Sequence, residues 1–97
     1  MYHSIHELSL NHNHIEKLDG IESFSQLRQL SLNFNCISSY DELKKITKEL
    51  RELELKQNPK LSIDKDRLMS IFPKLEKLNG VIIRHKDVKN TDTIIVK

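Results

Sequence analysis

A chain that repeats the pattern Leu-x-x-Leu-x-Leu-x-x-Asn-x-Ile in register has few folds open to it. Three copies stand here. The first is Ile5, Leu8, Leu10, Asn13 and Ile15, and the second is Leu27, Leu30, Leu32, Asn35 and Ile37. The third is Leu50, Leu53, Leu55 and Asn58, with Leu61 after one extra residue. A degenerate fourth begins at Leu75 and Leu78, so the starts lie 22, 23 and 25 residues apart. At such a period each copy buries its apolar face only by stacking on its neighbour.

Each position has a physical reason. The apolar residues of Leu-x-Leu share one face of a short strand, because side chains alternate along it. Asn13, Asn35 and Asn58 are expected to turn inward at the strand exits and form a structural ladder, hydrogen-bonding backbone groups that stacking would otherwise leave buried and unpaired. This is the signature of leucine-rich repeats. The expected fold class is α/β: a leucine-rich repeat solenoid of about three and a half repeats, with parallel strands on its concave face and short helices on its convex face.

The return segments refine that expectation. Ser39 and Glu42 read as a capping box, followed by Leu43 and Ile46 at helical spacing. Asp64 or Asp66 can cap a helix that runs to about Phe72 and stops at Pro73. The stretch from Asp19 to Gln26 is short and holds Gly20, which suggests a turn or a single 3₁₀ turn. The boundaries expected are a repeat domain over residues 1–83, with a cap over 72–83, and a polar tail over 84–97 holding a loose strand at 93–96. Met1 to Ser4 cannot cover Ile5, Leu8 and Leu10, yet a solenoid needs a polar outer turn at its ends. The expectation is a fragment of a larger multidomain protein.

Composition narrows the class. The 14 Leu and 11 Ile stand against 3 Val, 3 Phe and no Ala, so the apolar share is the repeat itself. The net charge of +2 is too small to imply a nucleic-acid partner. A single cysteine, Cys36, forbids an intrachain disulfide and fits a reducing, intracellular setting. No stretch approaches the apolar length of a membrane span, and no signal peptide is evident.

Candidate sites are sparse. No nucleophile elbow or Gly-rich phosphate loop occurs, so no catalytic residue, no cofactor and no small-molecule substrate are expected. His3, His6, His12 and His14 crowd the first repeat, but no carboxylate or thiol joins them at a metal-site spacing, and they read as exposed loop residues. Cys36 reads as a buried structural thiol. The concave face is the default docking surface of a solenoid. Alternation assigns to it Glu7, Ser9 and Asn11, then Gln29, Ser31 and Asn33, then Glu52, Glu54 and Lys56. Phe34 stands where a polar residue is usual, and reads either as packed on a neighbouring turn or as an exposed anchor. Lys44, Lys45, Lys48 and Arg51 form the possible RNA-contacting cluster, although Asp41, Glu42 and Glu49 are interleaved with them.

The repeats and the segment Phe72-Pro73-Lys74-Leu75, with Leu78-Asn79-Gly80, resemble a subgroup of leucine-rich proteins closed by a C-terminal cap, Asn79 standing for its usual Asp. The subgroup includes nuclear RNA export factors (the TAP/NXF family), the spliceosomal A-prime protein, a nuclear phosphatase regulator and axonemal dynein light chains. The run from Asn35 to Ile46, followed by Leu50 to Asn58, looks most like the export-factor version. That resemblance implies a non-catalytic nuclear module that contacts RNA cargo or adaptor proteins; the alternative function is a protein-only scaffold of the spliceosomal, phosphatase-regulator or dynein-light-chain type, and the alternative location is the cytoplasm.

Overall fold

The computed structural model describes residues 4–84. The loose strand expected at 93–96 and the tail beyond Arg84 lie outside the described residues.

Each Leu-x-Leu forms one short strand. These are β1 (Glu7–Ser9), β2 (Gln29–Ser31) and β3 (Glu52–Glu54), followed by β4 (Lys77–Leu78) and β5 (Val81–Ile82). They make one sheet in the order β1-β2-β3-β4-β5. The first four are parallel, and the register superposes the repeats: Leu8 faces Leu30, Leu30 faces Leu53, and Leu53 faces Leu78. β5 turns back antiparallel to β4 through Asn79 and Gly80, both with positive φ. That hairpin was not expected from the repeat pattern.

The leucines at these register positions point into a single core. Leu27, Leu32, Ile37, Leu43, Leu50, Leu68, Phe72 and Leu75 lose all exposure. Burying such a side chain contributes roughly 1.5–3 kcal/mol, and the strands and return segments share this one core. At the β1 end the packing thins, since Ile5, Leu8, Leu10, Ile15 and Phe24 are only partly buried.

The return segments differ in length. Ile21–Ser23 is a 3₁₀ turn entered through Gly20, whose φ of 94° suits glycine. Helix α1 covers only Tyr40–Leu43, so Ile46 reaches the core from a turn and not from a continued helix. The expected capping box is not formed: the Ser39 hydroxyl accepts from the amide of Asp41, while the Glu42 carboxylate accepts from the amide of Leu18 one repeat away. The tie across repeats displaced the local one. Helix α2 (Lys65–Ile71) is capped by Asp64, which accepts from the amide of Arg67. The Tyr40 hydroxyl joins the two return segments, donating to the Ser62 carbonyl at 2.6 Å and accepting from the Asp64 amide at 2.9 Å. The Arg67 guanidinium lies 4.1 Å over the Tyr40 ring.

Candidate functional site

The asparagine ladder sets the spacing of the strand exits. The Asn58 carbonyl oxygen accepts from the Ile37 amide at 3.0 Å, and its amide group donates to the carbonyls of Leu32 and Leu55. Asn35 repeats this one turn earlier, accepting from Ile15 and donating to Leu10. Both are buried. Asn13 departs from the ladder: it is exposed and donates only to Leu10 and Asn11 of its own turn. Among the described residues there is no earlier repeat for it to bind.

A second row of asparagines was missed in the sequence as structure. Asn11 accepts from the Ser31 hydroxyl and from the Asn33 amide, both at 2.7 Å. Asn33 in turn accepts from the Lys56 amide at 2.8 Å and donates to Glu54 at 2.7 Å. These two residues, expected to face a partner, spend much of their hydrogen-bonding capacity on the fold. The signal was legible: an Asn stands two residues before both Asn13 and Asn35.

The face of the sheet turned away from the core follows from the register. Glu7, Gln29, Glu52 and Lys77 form one row, which Ile82 extends across β5; Ser9, Ser31 and Glu54 form the next. A depression of about 320 Å³ opens over β1 to β3, lined by Glu7, Ser9, Gln29, Ser31, Glu52 and Glu54, with Leu8 and Leu30 at its floor. Three carboxylates line it and no cation does. Lys56 is exposed just beyond β3.

Phe34 sits at the carboxyl end of β2. Its ring stacks on that of His12, with centroids 4.4 Å apart and planes 11° from parallel, yet 48% of the residue stays exposed. Phe34 therefore packs on the neighbouring turn and still keeps about half of its surface exposed. His12, Phe34 and Gln57 each precede a ladder asparagine, and all three have φ near 60°. Cys36 is half-buried, where burial was expected.

The basic cluster has a different character. Lys45 bonds to Asp19 and, at 2.8 Å, to Glu42. Those hydrogen bonds raise its pKa above the usual lysine range and hold both carboxylates below theirs, with the Leu18 amide also lowering Glu42. Lys44 lies 3.7 Å from Asp41, and Arg51 lies 3.4 Å from Glu76. Lys48 sits 6.0 Å from the centre of the Phe72 ring. Carboxylates thus pair with Lys44, Lys45 and Arg51, three of the four residues singled out for RNA contact.

Among the described residues no group of three or more His, Cys, Asp or Glu could hold a metal, and no helix is long and apolar enough to cross a membrane.

The stacked strands and their asparagine ladder agree with a family match: residues 3–45 match the profile Leucine Rich repeats (2 copies). Over 91 residues, 89% of the chain, it is 29% identical to the mouse (Mus musculus) Centrosomal protein of 72 kDa. Over the same length it is 33% identical to mouse Leucine-rich repeat-containing protein 36. The chain spans only 14% and 12% of the length of these relatives. These matches support the leucine-rich repeat class, a class of binding modules, and not the export-factor assignment in particular.

Proposed function

We propose that this chain is a short leucine-rich solenoid that binds a protein partner across the open face of its sheet. The observation that carries this reading is the depression over β1 to β3, with three carboxylates and no cation in its lining. Solenoids use such extended faces for recognition. Glu7, Ser9, Gln29, Ser31, Glu52, Glu54 and Lys56 supply the contacts, with Asn11 and Asn33 holding the strand exits and Phe34 at the rim. A relative named as a centrosomal protein fits a scaffold role within an assembly.

The rival reading is an RNA-contacting module of the export-factor kind. It needs Lys44, Lys45, Lys48 and Arg51 for phosphates, and three of these four already face carboxylates. The two readings separate by charge reversal. Glu7→Lys with Glu52→Lys abolishes co-precipitation of the protein partner, whereas Lys44→Glu with Lys48→Glu leaves it intact. Loss of RNA cross-linking on the second change, with no effect of the first, would overturn the proposal.

A further inference from the structure

We infer that Asn79 is a site of spontaneous deamidation, reached when the β4–β5 hairpin opens, and that the cap keeps its fold in the aspartate form.

The sequence places the chemistry at one point. Asn79-Gly80 is the chain's only Asn-Gly pair, whereas the ladder asparagines are followed by His14, Cys36 and Pro59. Glycine carries no Cβ, so its amide nitrogen reaches the side chain of the preceding asparagine with least obstruction. That nitrogen loses its proton and bonds to Cγ of Asn79, ammonia leaves, and a five-membered succinimide forms. Water then opens the ring at either carbonyl, giving an aspartyl or an isoaspartyl linkage. The net reaction consumes one water, releases one ammonia and lowers the net charge of +2 by one.

The fold controls access. Oδ1 of Asn79 accepts from the Leu55 amide at 2.6 Å, and the Asn79 amide donates to the Leu53 carbonyl at 2.9 Å. Both bonds tie the residue back to β3 and its exit, while Gly80 leads away into β5. Cγ reaches the Gly80 nitrogen only after Oδ1 leaves Leu55, so the reaction waits on local opening of the hairpin. Gly80 itself is exposed, and water has free access to the turn.

The aspartate form is tolerated because of how little Asn79 uses its amide group. Asn35 and Asn58 donate theirs to main-chain carbonyls, and a carboxylate there would set oxygen against oxygen. Asn79 is half-buried, and its side-chain nitrogen donates to no group among the described residues. Replacing that nitrogen by oxygen loses no hydrogen bond and makes the one from Leu55 charge-assisted. The isoaspartyl form instead adds a methylene to the main chain of the two-residue loop that pairs Leu78 with Val81, a turn too tight to absorb it.

The test incubates the full chain at mildly alkaline pH and follows deamidation by mass spectrometry of its peptides, beside a synthetic peptide of residues 75–84. Conversion is expected first at Asn79, about tenfold or more slower than in the peptide because the hairpin is mostly closed. Ile83→Asp, at a residue packed against the core, loosens the hairpin and is expected to bring the rate towards that of the peptide. Asn79→Asp is expected to melt no lower than the parent chain, and Asn58→Asp well below it. Earlier conversion at another asparagine, none at Asn79 while the peptide converts, or an Asn79→Asp variant melting as low as Asn58→Asp overturns the site. A folded rate equal to that of the peptide overturns the control by the hairpin.

Discussion

The Glu42 carboxylate accepts a hydrogen bond from the Leu18 amide at 2.8 Å, across 24 residues of sequence. The same oxygen accepts from Lys45 at 2.8 Å, and Lys45 also holds Asp19. One acid therefore fastens the first return segment to the second, at a point where the short strands alone would leave an amide without a partner.

This arrangement dictates how stability responds to acid. The folded pKa values of Glu42, Asp19 and Glu49 lie below their ordinary values, through hydrogen bonds from Lys45, Lys45 and Lys74 respectively. A carboxylate depressed in the folded state stabilises fully above its unfolded pKa, and that contribution is lost as pH falls through the folded value. Melting temperature is expected to be flat from neutrality down to the carboxylate range and to drop below it. Glu42→Gln, which keeps an acceptor for Leu18, should flatten that drop; Glu42→Ala should lower the melting temperature at pH 7 as well.

The ladder asparagines should not be equivalent. Asn58→Ala strands the Ile37 amide and the Leu32 carbonyl, and each buried orphan costs about 1–3 kcal/mol. A loss of roughly 2–6 kcal/mol is expected from that sum. Asn35→Ala should cost somewhat less, since Ile15 is only partly buried. Asn13→Ala, an exposed residue bonded within its own turn, should cost under about 1 kcal/mol. Urea denaturation ranks the three, and equal losses would contradict the ladder as described.

The core should be graded along the sheet in the same direction. Leu53→Ala, at a residue 1% exposed, is expected to cost about 2–5 kcal/mol. Leu8→Ala, at the half-buried β1 end, should cost clearly less. Equilibrium unfolding of the two variants measures the difference.

How much of this the sequence carried varied with the range of the interaction. The strands, their register and the burial of Asn35 and Asn58 followed from a period of apolar residues, because stacking leaves those positions no other environment. The 3₁₀ turn at Gly20 and the Asp64 cap were equally local. What pattern alone did not carry were contacts decided between repeats. Glu42 left its expected capping box for Leu18, α1 stopped at Leu43, and Asn13 found no earlier turn to bind. The polar residues of the open face were assignable by alternation, but that Asn11 and Asn33 serve the fold depended on the three-dimensional spacing of adjacent strands.

Left-handed positions offer a further check. Gly20→Ala introduces a Cβ that meets nothing within 4 Å, so its cost is backbone strain at φ 94°, about 1–2 kcal/mol. Phe34→Gln should leave stability within about 0.5 kcal/mol, as expected for a surface change. Thermal melts of both variants read these values directly.

The central claim is that the open sheet face, and not the basic side of α1, receives the partner. A photo-crosslinking residue placed at Gln29 in the full chain, with a second variant carrying it at Lys48, tests this most directly in cells. Cross-links to one discrete protein from position 29, lost when Glu7 and Glu52 are reversed to lysine, are the predicted result. Cross-links from position 48 to RNA, with none from position 29, would contradict it.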